Sequence, residues 1–495
     1  MVEDYKKYYY GRTDMTMLND EKVYGSLGIN LKEVTTIVEG YGSVVLHNSL
    51  KKPFRKFELL GNSTQGENPA PDNPQEIKSA GRKSKNLLIE NISVFTVQDN
   101  IAYIPLPEGH ETKLYTMLIQ KKPGENDDVG FTCGFYDKSN MTATYSAPCL
   151  QAGNLVTGNG IVNSKIGVNH FVCFSPADSR FFDIYNVMYA EGKETTLDYE
   201  PYGYFFDVKV TGKNLIKTSP ILPKRWSNNI DNHVIEYITL KPHTTYTLAM
   251  EEDTKYVNDL RVRIFSKNDM TRWLAEILGA SENKKKFTTK DDVECVLCVY
   301  HLLDYKGDVK QLQLVEGDIS TPYEPYTEQI LTLTSDRPIT KWDKLVEQGG
   351  QYGWLYQSEV KEYRGENSVS LYDSGFYFLL NNKNITKGEG YCSELKQHVP
   401  YEKNPCISFN MASSTYAYTL NTQEIYGSTV SEIKEYLKSH PLHLVYKTEA
   451  TEFITLSQEE QTQLRNLHSY NGTTHINIDS GEVECGIKVE YVVGA

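Results

Sequence analysis

The sequence predicts an all-β fold, mainly antiparallel, made of tandem β-sandwich or jelly-roll modules with a few short helices in the C-terminal region. Short β-forming runs bounded by Gly, Pro, Asn and Asp recur along the 495 residues. From Leu260 to Phe265 apolar and charged residues alternate, as in a strand with one face in water. The chain also has 36 tyrosines, a residue that favours strands. Together these features predict antiparallel sheets that pack in pairs.

A duplicated module of domain size supports this fold class. The phrase Tyr-Glu-Pro-Tyr stands at 199–202 and again, 323 − 199 = 124 residues later, at 323–326. Other phrases match in the same order: Lys85-Asn86-Leu87-Leu88 with Lys213-Asn214-Leu215-Ile216, Tyr115-Thr116-Met117 with Tyr246-Thr247-Leu248, Cys173 with Cys298, and Glu191-Gly192 with Glu316-Gly317. A duplicated module without a catalytic motif favours a binding or structural role.

The repeat divides the chain into four predicted regions. Residues 1–83 form an N-terminal attachment domain with a proline-rich connector, and residues 84–208 and 209–332 form two jelly-roll modules. Residues 333–495 form a C-terminal β-rich module. Within the first region, residues 61–78 contain three prolines and few apolar residues, which predicts an extended connector running over a surface.

Two short helices are predicted in the C-terminal module from their capping boxes. Thr429 stands three residues before Glu432, and the apolar face that follows ends before Pro441. Ser457 stands three residues before Glu460 in the second helix. Each sequence is amphipathic, so each helix is expected to pack one face on the sheets.

Composition excludes some partners. The net charge is 51 − 65 = −14, without a basic stripe, which disfavours binding to a nucleic-acid backbone. No apolar run approaches the roughly 20 residues that span a bilayer, so membrane insertion is not expected. The first residues lack the basic and apolar regions of a signal peptide, and we expect the chain to be made and folded in a cytoplasm.

Two spacings resemble metal sites but predict structural residues. Cys295 and Cys298 have CxxC spacing, yet they lie in an apolar run without a second pair, which favours buried strand cysteines over zinc. His440 and His443 flank Pro441 at a helix-to-strand junction, which favours a structural or exposed role over metal ligation.

The sequence predicts no enzyme and no cofactor. It contains no Gly-x-Ser-x-Gly elbow, phosphate-binding glycine loop or His-Glu-x-x-His motif. The acidic runs 125–128 and 251–253 are expected to be solvated turn charges, with a structural calcium ion as the open alternative. A carboxylate pair for glycoside cleavage, brought together by the fold from among 65 acidic residues, also stays open.

Several phrases in a fixed order resemble minor structural proteins of the tail and baseplate in phages and prophages of Gram-positive hosts. The similar phrases are Phe57 to Gln65, Pro71 to Ile77, Lys85-Asn86-Leu87, Leu314 to Gly317 before Tyr323 to Tyr326, Leu456 to Glu460, and Val489 to Val492. The resemblance covers most of the chain from about residue 40. It implies carbohydrate-binding-like jelly-roll modules, with the unmatched N-terminal residues attaching to the virion.

For sugar binding, the candidates are exposed aromatic rings with polar neighbours. An exposed ring stacks on the apolar face of a pyranose, while nearby Asn or Arg side chains bond the hydroxyls. Trp226 lies in a polar, loop-like sequence, and Trp273 is the second candidate, with core packing as the alternative for both. Their predicted polar partners are Arg225, Asn228, Asn229 and Arg272. The tyrosines of Tyr-Glu-Pro-Tyr are expected to belong to the scaffold.

The expected function is that of a virion structural protein of the tail tip or baseplate, which contributes to assembly and to adhesion to host-surface carbohydrate. Other virion proteins, a host glycan and further copies of the chain are the expected partners. Two alternatives stay open. The first is a polysaccharide-degrading tail enzyme with the repeats as accessory modules, and the second is a head fibre or decoration protein on the capsid.

Overall fold

The fold is that of a computed structural model. It describes residues 23–25, 28–30, 34–48, 51–88, 96–98, 101–107, 109–124, 132–137, 160–164, 166–174, 185–250, 260–278, 283–291, 294–302, 308–317, 322–372, 374–380, 385–397, 408–411 and 416–493. The chain divides into two compact units. The larger unit comprises residues 1–80, 206–333 and 339–495, and the smaller unit comprises 81–205 and 334–338.

Strands account for most of the secondary structure. The N-terminal strands are β1 (Val23–Gly25), β2 (Gly28–Asn30), β3 (Val34–Tyr41), β4 (Ser43–Asn48), β5 (Lys56–Leu60), β6 (Ser63–Gln65), β7 (Ile77–Ser79) and β8 (Arg82–Lys83). The first repeat contains β9 (Thr96–Gln98), β10 (Ile101–Pro105), β11 (Tyr115–Lys121), β12 (Thr132–Tyr136), β13 (Gly160–Asn163), β14 (His170–Phe174) and β15 (Tyr185–Glu191). The strand β16 (Tyr204–Thr211) follows.

The second repeat and the C-terminal region continue the same pattern. The second repeat contains β17 (Lys224–Arg225), β18 (Val234–Thr239), β19 (Thr245–Ala249), β20 (Leu260–Ser266), β21 (Asp269–Leu278), β22 (Lys284–Thr288), β23 (Glu294–His301) and β24 (Gln313–Glu316). The C-terminal strands are β25 (Glu328–Ser335), β26 (Lys344–Gln348), β27 (Gln351–Tyr363), β28 (Val369–Tyr372), β29 (Gly375–Leu379), β30 (Ile385–Cys392), β31 (Lys396–Gln397), β32 (Ser408–Met411), β33 (Tyr416–Leu420), β34 (Leu442–Thr455), β35 (Gly472–Asp479) and β36 (Gly486–Val493).

The described helices are short. Two are 3₁₀ helices, at His110–Thr112 and Ile230–His233. The α-helices are α1 (Gln423–Tyr426), α2 (Val430–Ser439) and α3 (Gln458–Asn466). Both predicted capping boxes are confirmed, because the side chains of Thr429 and Ser457 accept the N–H of the glutamate three residues later and that glutamate bonds back. The prediction of an all-β fold with short C-terminal helices is therefore confirmed.

Strands from both ends of the chain share one sheet in the larger unit. Its order is β3-β36-β5-β26-β27-β34-β30. The strand β3 pairs antiparallel with β36 along its whole length, and β5 pairs with both β36 and β26. The sequence-based division ends an N-terminal domain near residue 83, whereas these N-terminal strands hydrogen-bond to C-terminal ones. Ladder pairing depends on proximity in the fold and not on sequence separation.

The proline-rich connector is also bonded to the C-terminal region. Its ends pair as β6 and β7, and the hydroxyls of Ser63 and Ser79 lie 2.9 Å apart. The Gln65 side chain donates to the carbonyl of Cys392 at 2.7 Å, and the Gln75 N–H donates to the carbonyl of Ser393 at 2.7 Å. The connector therefore lies against the end of β30 and the residue that follows it, although these are more than 300 residues away in sequence.

Each repeat is a sandwich of two sheets around one core. In the first repeat the sheets are β12-β14-β10-β9 and β13-β11-β15. In the second they are β17-β23-β20-β21, with β18 also paired to β23, and β22-β19-β24. Core side chains come from both sheets in each case, for example Met117 with Phe171, and Leu248 with Leu297. The central strand of the smaller sheet carries the matching Tyr-Thr phrase in both copies.

The first and last phrases of the first repeat are joined by a buried asparagine. The Asn86 side chain donates to the carbonyl of Glu200 at 3.1 Å and accepts the N–H of Leu88 at 2.9 Å. The Glu200 carboxylate accepts from Arg82 at 3.2 Å. Lys-Asn-Leu and Tyr-Glu-Pro-Tyr are thus held side by side where this sandwich begins and ends.

The second repeat has the same closure. The Asn214 amide donates to the carbonyl of Glu324 at 3.1 Å, and its oxygen accepts N–H groups of Ile216 and Leu314 at 3.0 and 3.1 Å. The hydroxyl of Tyr326 donates to Glu328 at 2.5 Å. This tyrosine therefore belongs to the scaffold, and the matching phrases mark structural boundaries.

Among the described helices, none has the length and apolar character needed to cross a membrane.

Candidate functional site

The segment after β17 crosses the outer face of the larger sheet of the second repeat, meaning the face turned away from the core. Trp226 is the first residue of this segment, and its backbone N–H donates to the carbonyl of His301 at 2.7 Å. The 3₁₀ helix Ile230–His233 follows, and its first turn is capped by the Asn229 side chain, which accepts the Asp231 N–H. The segment is therefore fixed at both ends.

Trp226 lies on two other rings and still faces solvent. Its ring centroid is 5.1 Å from His233 and 4.6 Å from Tyr300. The Nε2 atom of His233 accepts the Ser227 N–H at 3.0 Å, which fixes the imidazole under the indole. Trp226 is 37% exposed. The indole therefore packs on His233 and Tyr300 and leaves part of its surface accessible to solvent.

Trp273 reaches the same surface from the neighbouring strand. The Arg263 guanidinium carbon lies 3.9 Å from the centre of the Trp273 ring and 5.5 Å from that of Tyr300. A second contact holds this arginine, since its Nη2 lies 2.5 Å from the Glu276 carboxylate. Trp273 is 44% exposed. Trp226, Tyr300, Arg263 and Trp273 form one continuous set of contacts, called here the tryptophan–arginine surface.

Strand alternation places the arginines of β20 on the outer face, and a register shift between β20 and β21 pairs Trp273 with the outward-facing Phe265. Along β20, Leu260, Val262 and Ile264 enter the core of the second repeat. Arg261 and Arg263, which alternate with them, face outward and both approach Glu276. The two predicted tryptophans are 47 residues apart in sequence (273 − 226). The strands β23 and β20 lie between the segments that carry them, and Tyr300 of β23 and Arg263 of β20 link the two rings.

The aromatic groups of this surface are neutral near pH 7, and its charge comes from the arginines and Glu276. Burial lowers the pKa of His233, and the nearby Lys224 lowers it further. Burial raises the pKa of Tyr300, which Arg263 partly opposes. The surface thus offers flat apolar rings bordered by fixed donors and one carboxylate.

The structure brings the two predicted tryptophans together but divides their predicted partners. Asn229 uses its side chain as a helix cap, so its oxygen is occupied. The other predicted residues are exposed sequence neighbours of the two rings, namely Arg225, Asn228 and Arg272. The structure gives no contact between these three side chains and the rings of the surface within the described residues.

Sequence reasoning missed Arg263, Tyr300, His233 and Glu276. A signal for Arg263 was present, because the alternation from Leu260 to Phe265 already indicated a wet face that carries the arginines. No comparable signal marked Tyr300, which lies in the continuous apolar run of β23. Both faces of β23 are covered, so its sequence is apolar throughout and does not reveal which residues face the core and which face outward.

The two cysteines with CxxC spacing are buried structural residues. Cys295 packs in the core, whereas Cys298 is buried on the outer face with Phe265 and Val296, so the two thiols lie on opposite sides of β23. Burial raises the pKa of Cys298 to about 12. Within the described ranges, no group of three or more His, Cys, Asp and Glu residues could hold a metal ion. The acidic runs 125–128 and 251–253 lie outside the described residues.

Comparisons with known proteins add no family. No family model and no curated protein matches the chain. A solved structure, "Structure of infectious bursal disease virus Gx strain", is similar at 9% sequence identity over 97% of this chain and 82% of that chain, with a TM-score of 0.09. A TM-score this low carries no argument about fold or function.

Proposed function

We propose that this chain is a virion structural protein of a phage tail tip or baseplate, and that it adheres to host-surface carbohydrate through the tryptophan–arginine surface. The observation that carries the adhesion proposal is the contact series from Trp226 through Tyr300 and Arg263 to Trp273. The virion assignment is supported by the ordered phrases that resemble tail and baseplate proteins. The sandwich architecture of both repeats is compatible with it.

The chemistry of the surface fits a sugar. An exposed indole stacks on the C–H face of a pyranose, and Arg263 and Glu276 offer a donor and an acceptor for ring hydroxyls. The exposed Arg225 and Asn228, which are sequence neighbours of Trp226, are further candidates for hydrogen bonds to a sugar. Since Arg263 is already paired with Glu276, both side chains are preorganised, which reduces the entropy lost on binding.

A single surface of this kind binds a sugar weakly, so we propose that the protein acts as a homo-oligomer bound to other virion proteins. Repeated copies on a symmetric tail organelle convert weak contacts into avidity. The proposal requires no cofactor and no nucleic acid, with assembly in the bacterial host cytoplasm and residence in the virion.

Pull-down of the purified full chain on host cell-wall glycan tests adhesion. We expect Trp226→Ala and Trp273→Ala each to reduce retention about 10-fold, the loss expected for removing one stacked ring. Tyr41→Ala is the matched control, because Tyr41 is a 65% exposed aromatic on β3, which belongs to a different sheet. Equal retention of all three variants would contradict the adhesion proposal.

Two further readouts separate the alternatives. New reducing ends released from the glycan would show a polysaccharide-degrading enzyme instead of an adhesin. Immunogold labelling of virions with an antibody to this chain should mark the tail tip, and labelling of the capsid surface would assign the chain to a head fibre.

A further inference from the structure

A third exposed ring, that of Tyr237, lies on the same outer face of the second repeat as the two tryptophans. Tyr237 is 65% exposed and stands in β18, where the next residue, Ile238, enters the core. Because successive residues of a strand point to opposite faces, Tyr237 points away from the core. It is directly opposite Val296 of β23, a member of the outer cluster that contains Phe265. The outer face therefore extends beyond the tryptophan–arginine surface.

One row of cross-strand partners joins this tyrosine to Trp273. Val296 is also opposite Phe265 of β20, and Phe265 is opposite Trp273 of β21. These four residues, Tyr237, Val296, Phe265 and Trp273, are called here the outer row. With about 4.8 Å between adjacent strands, three steps separate the backbone positions of the two exposed rings by about 14 Å. A pyranose has a six-membered ring, like the ring on which it stacks, so one sugar cannot contact both ends of the row.

The middle of the outer row is apolar. Val296 and Phe265 are only 1% and 2% exposed. The side chains that pack against their cluster are themselves partly exposed, namely those of Ile230, Val234 and Met270. Between its two exposed rings the face thus presents apolar groups, which suit the C–H faces of sugar rings.

The end of the row at Tyr237 has polar groups of its own. The Lys267 ammonium lies 5.8 Å from the centre of the Tyr237 ring and 2.8 Å from the Glu294 carboxylate. The same carboxylate accepts from the Thr239 hydroxyl at 3.2 Å, so two contacts hold it in place. An exposed ring beside a cation–carboxylate pair is therefore present at both ends, since Arg263 and Glu276 form the pair at the other end.

We propose that this face binds an internal stretch of a polysaccharide chain across the strands, with separate sugar units stacked on Tyr237 and on Trp273. The inference rests on the proposed adhesion and adds the form of the ligand, which is an extended oligosaccharide and not a single sugar or a chain end. Once one unit is bound, the second contact is intramolecular and loses little further translational freedom. Affinity should therefore rise with the length of the sugar chain until both ends of the row are filled.

Elution of the full chain from host cell-wall glycan tests this length dependence. The eluants are oligosaccharides made by partial acid hydrolysis of the same glycan and separated by size. Counted per sugar unit, long fractions should release the protein at a concentration about 10-fold lower than the monosaccharide fraction. Release at equal concentrations per sugar unit would overturn the proposal.

Variants of Tyr237 locate the second contact. Tyr237→Ala should abolish the difference between long and monosaccharide fractions, whereas Tyr237→Phe keeps the stacking ring and should preserve it. Tyr41→Ala, which removes an exposed ring from a different sheet, should behave like the unmodified chain. An unchanged length dependence in Tyr237→Ala would overturn the proposal.

The same glycan separates failure of this inference from failure of the proposed function. If Trp226→Ala and Trp273→Ala lower retention while Tyr237→Ala is retained and eluted like Tyr41→Ala, adhesion stands and the extended site is wrong. If neither tryptophan variant lowers retention, the adhesion proposal fails and the extended site fails with it.

Discussion

The two repeats close in the same way but place their aromatic rings differently. The described core of the first repeat contains Tyr115, Phe135, Phe171, Tyr185 and Tyr189. The core of the second is largely aliphatic, with Tyr246 and Phe287 as its aromatic members. Its other rings, Trp226, Tyr300 and Trp273, lie on the outer face.

The same framework therefore carries two different distributions of aromatic rings. The buried asparagine and the Glu-Gly and Tyr-Glu-Pro-Tyr phrases fix the path of the backbone in both copies. An aromatic ring inside the sandwich contributes to stability through the area it buries, whereas a supported ring outside is available to a ligand. The side chains, and not the closure, distinguish the two repeats.

The largest expected effect is on the aromatic core of the first repeat. Phe171→Ala should lower the free energy of unfolding by about 3–5 kcal/mol, because the ring packs 5.8 Å from Phe135 and 5.3 Å from Tyr189. All four tryptophans belong to the larger unit, so circular dichroism should record the earlier transition and tryptophan fluorescence should not. Equal shifts in both signals would mean that the two units unfold together.

The closures should differ in strength. In the second repeat the Asn214 side chain makes four hydrogen bonds to described backbone groups, and in the first the Asn86 side chain makes two. Asn214→Ala should therefore cost about 3–4 kcal/mol and Asn86→Ala about 2 kcal/mol, since each substitution leaves buried groups unsatisfied. Urea unfolding measures both. A larger cost at Asn86 would contradict this ranking, and the exposed Asn228→Ala serves as control.

Acid should weaken the larger unit through a buried histidine of β35, His475. Burial lowers the pKa of His475 to about 4, while Glu316 at 3.6 Å partly opposes the shift. The unfolded chain, with an ordinary value of about 6.5, then takes up the proton first as pH falls. Stability is full above about pH 6.5 and decreases by about 3 kcal/mol towards pH 4.

Urea unfolding of the larger unit at several pH values, monitored by tryptophan fluorescence, checks this dependence. His475→Gln should remove most of the decrease between about pH 6.5 and 4. The exposed His440→Gln should leave it in place. An unchanged pH dependence in His475→Gln would assign the effect to other groups.

The smallest expected effect is on the outer rings. Trp273→Ala should change the free energy of unfolding by less than about 1 kcal/mol, because the side chain is 44% exposed and loses mainly its contact with Arg263. Circular dichroism during thermal unfolding measures it. A cost comparable to that of Phe171→Ala would make Trp273 a structural residue and would weaken the comparison between the repeats.

Much of the local structure was predictable. The capping boxes at Thr429 and Ser457 located both longer helices, because a box is a contact between residues three apart. The alternation in β20 was also predictable, because it is a period-two pattern among neighbouring residues. The pairing of β3 with β36 was not, since it joins residues more than 440 positions apart (493 − 34 = 459 at one end) and no local pattern names a distant partner.

The sequence by itself determined the all-β class, the duplication and its boundary phrases, the two capped helices and the two tryptophans worth testing. These depend on periodicity, spacing and composition, which are properties of neighbouring residues. The tertiary structure alone decided that Trp226 and Trp273 share a surface through Tyr300 and Arg263, and that the Glu394 side chain bonds the imidazole of His443. Such contacts join separate strands, and their partners are chosen by the packing of whole sheets.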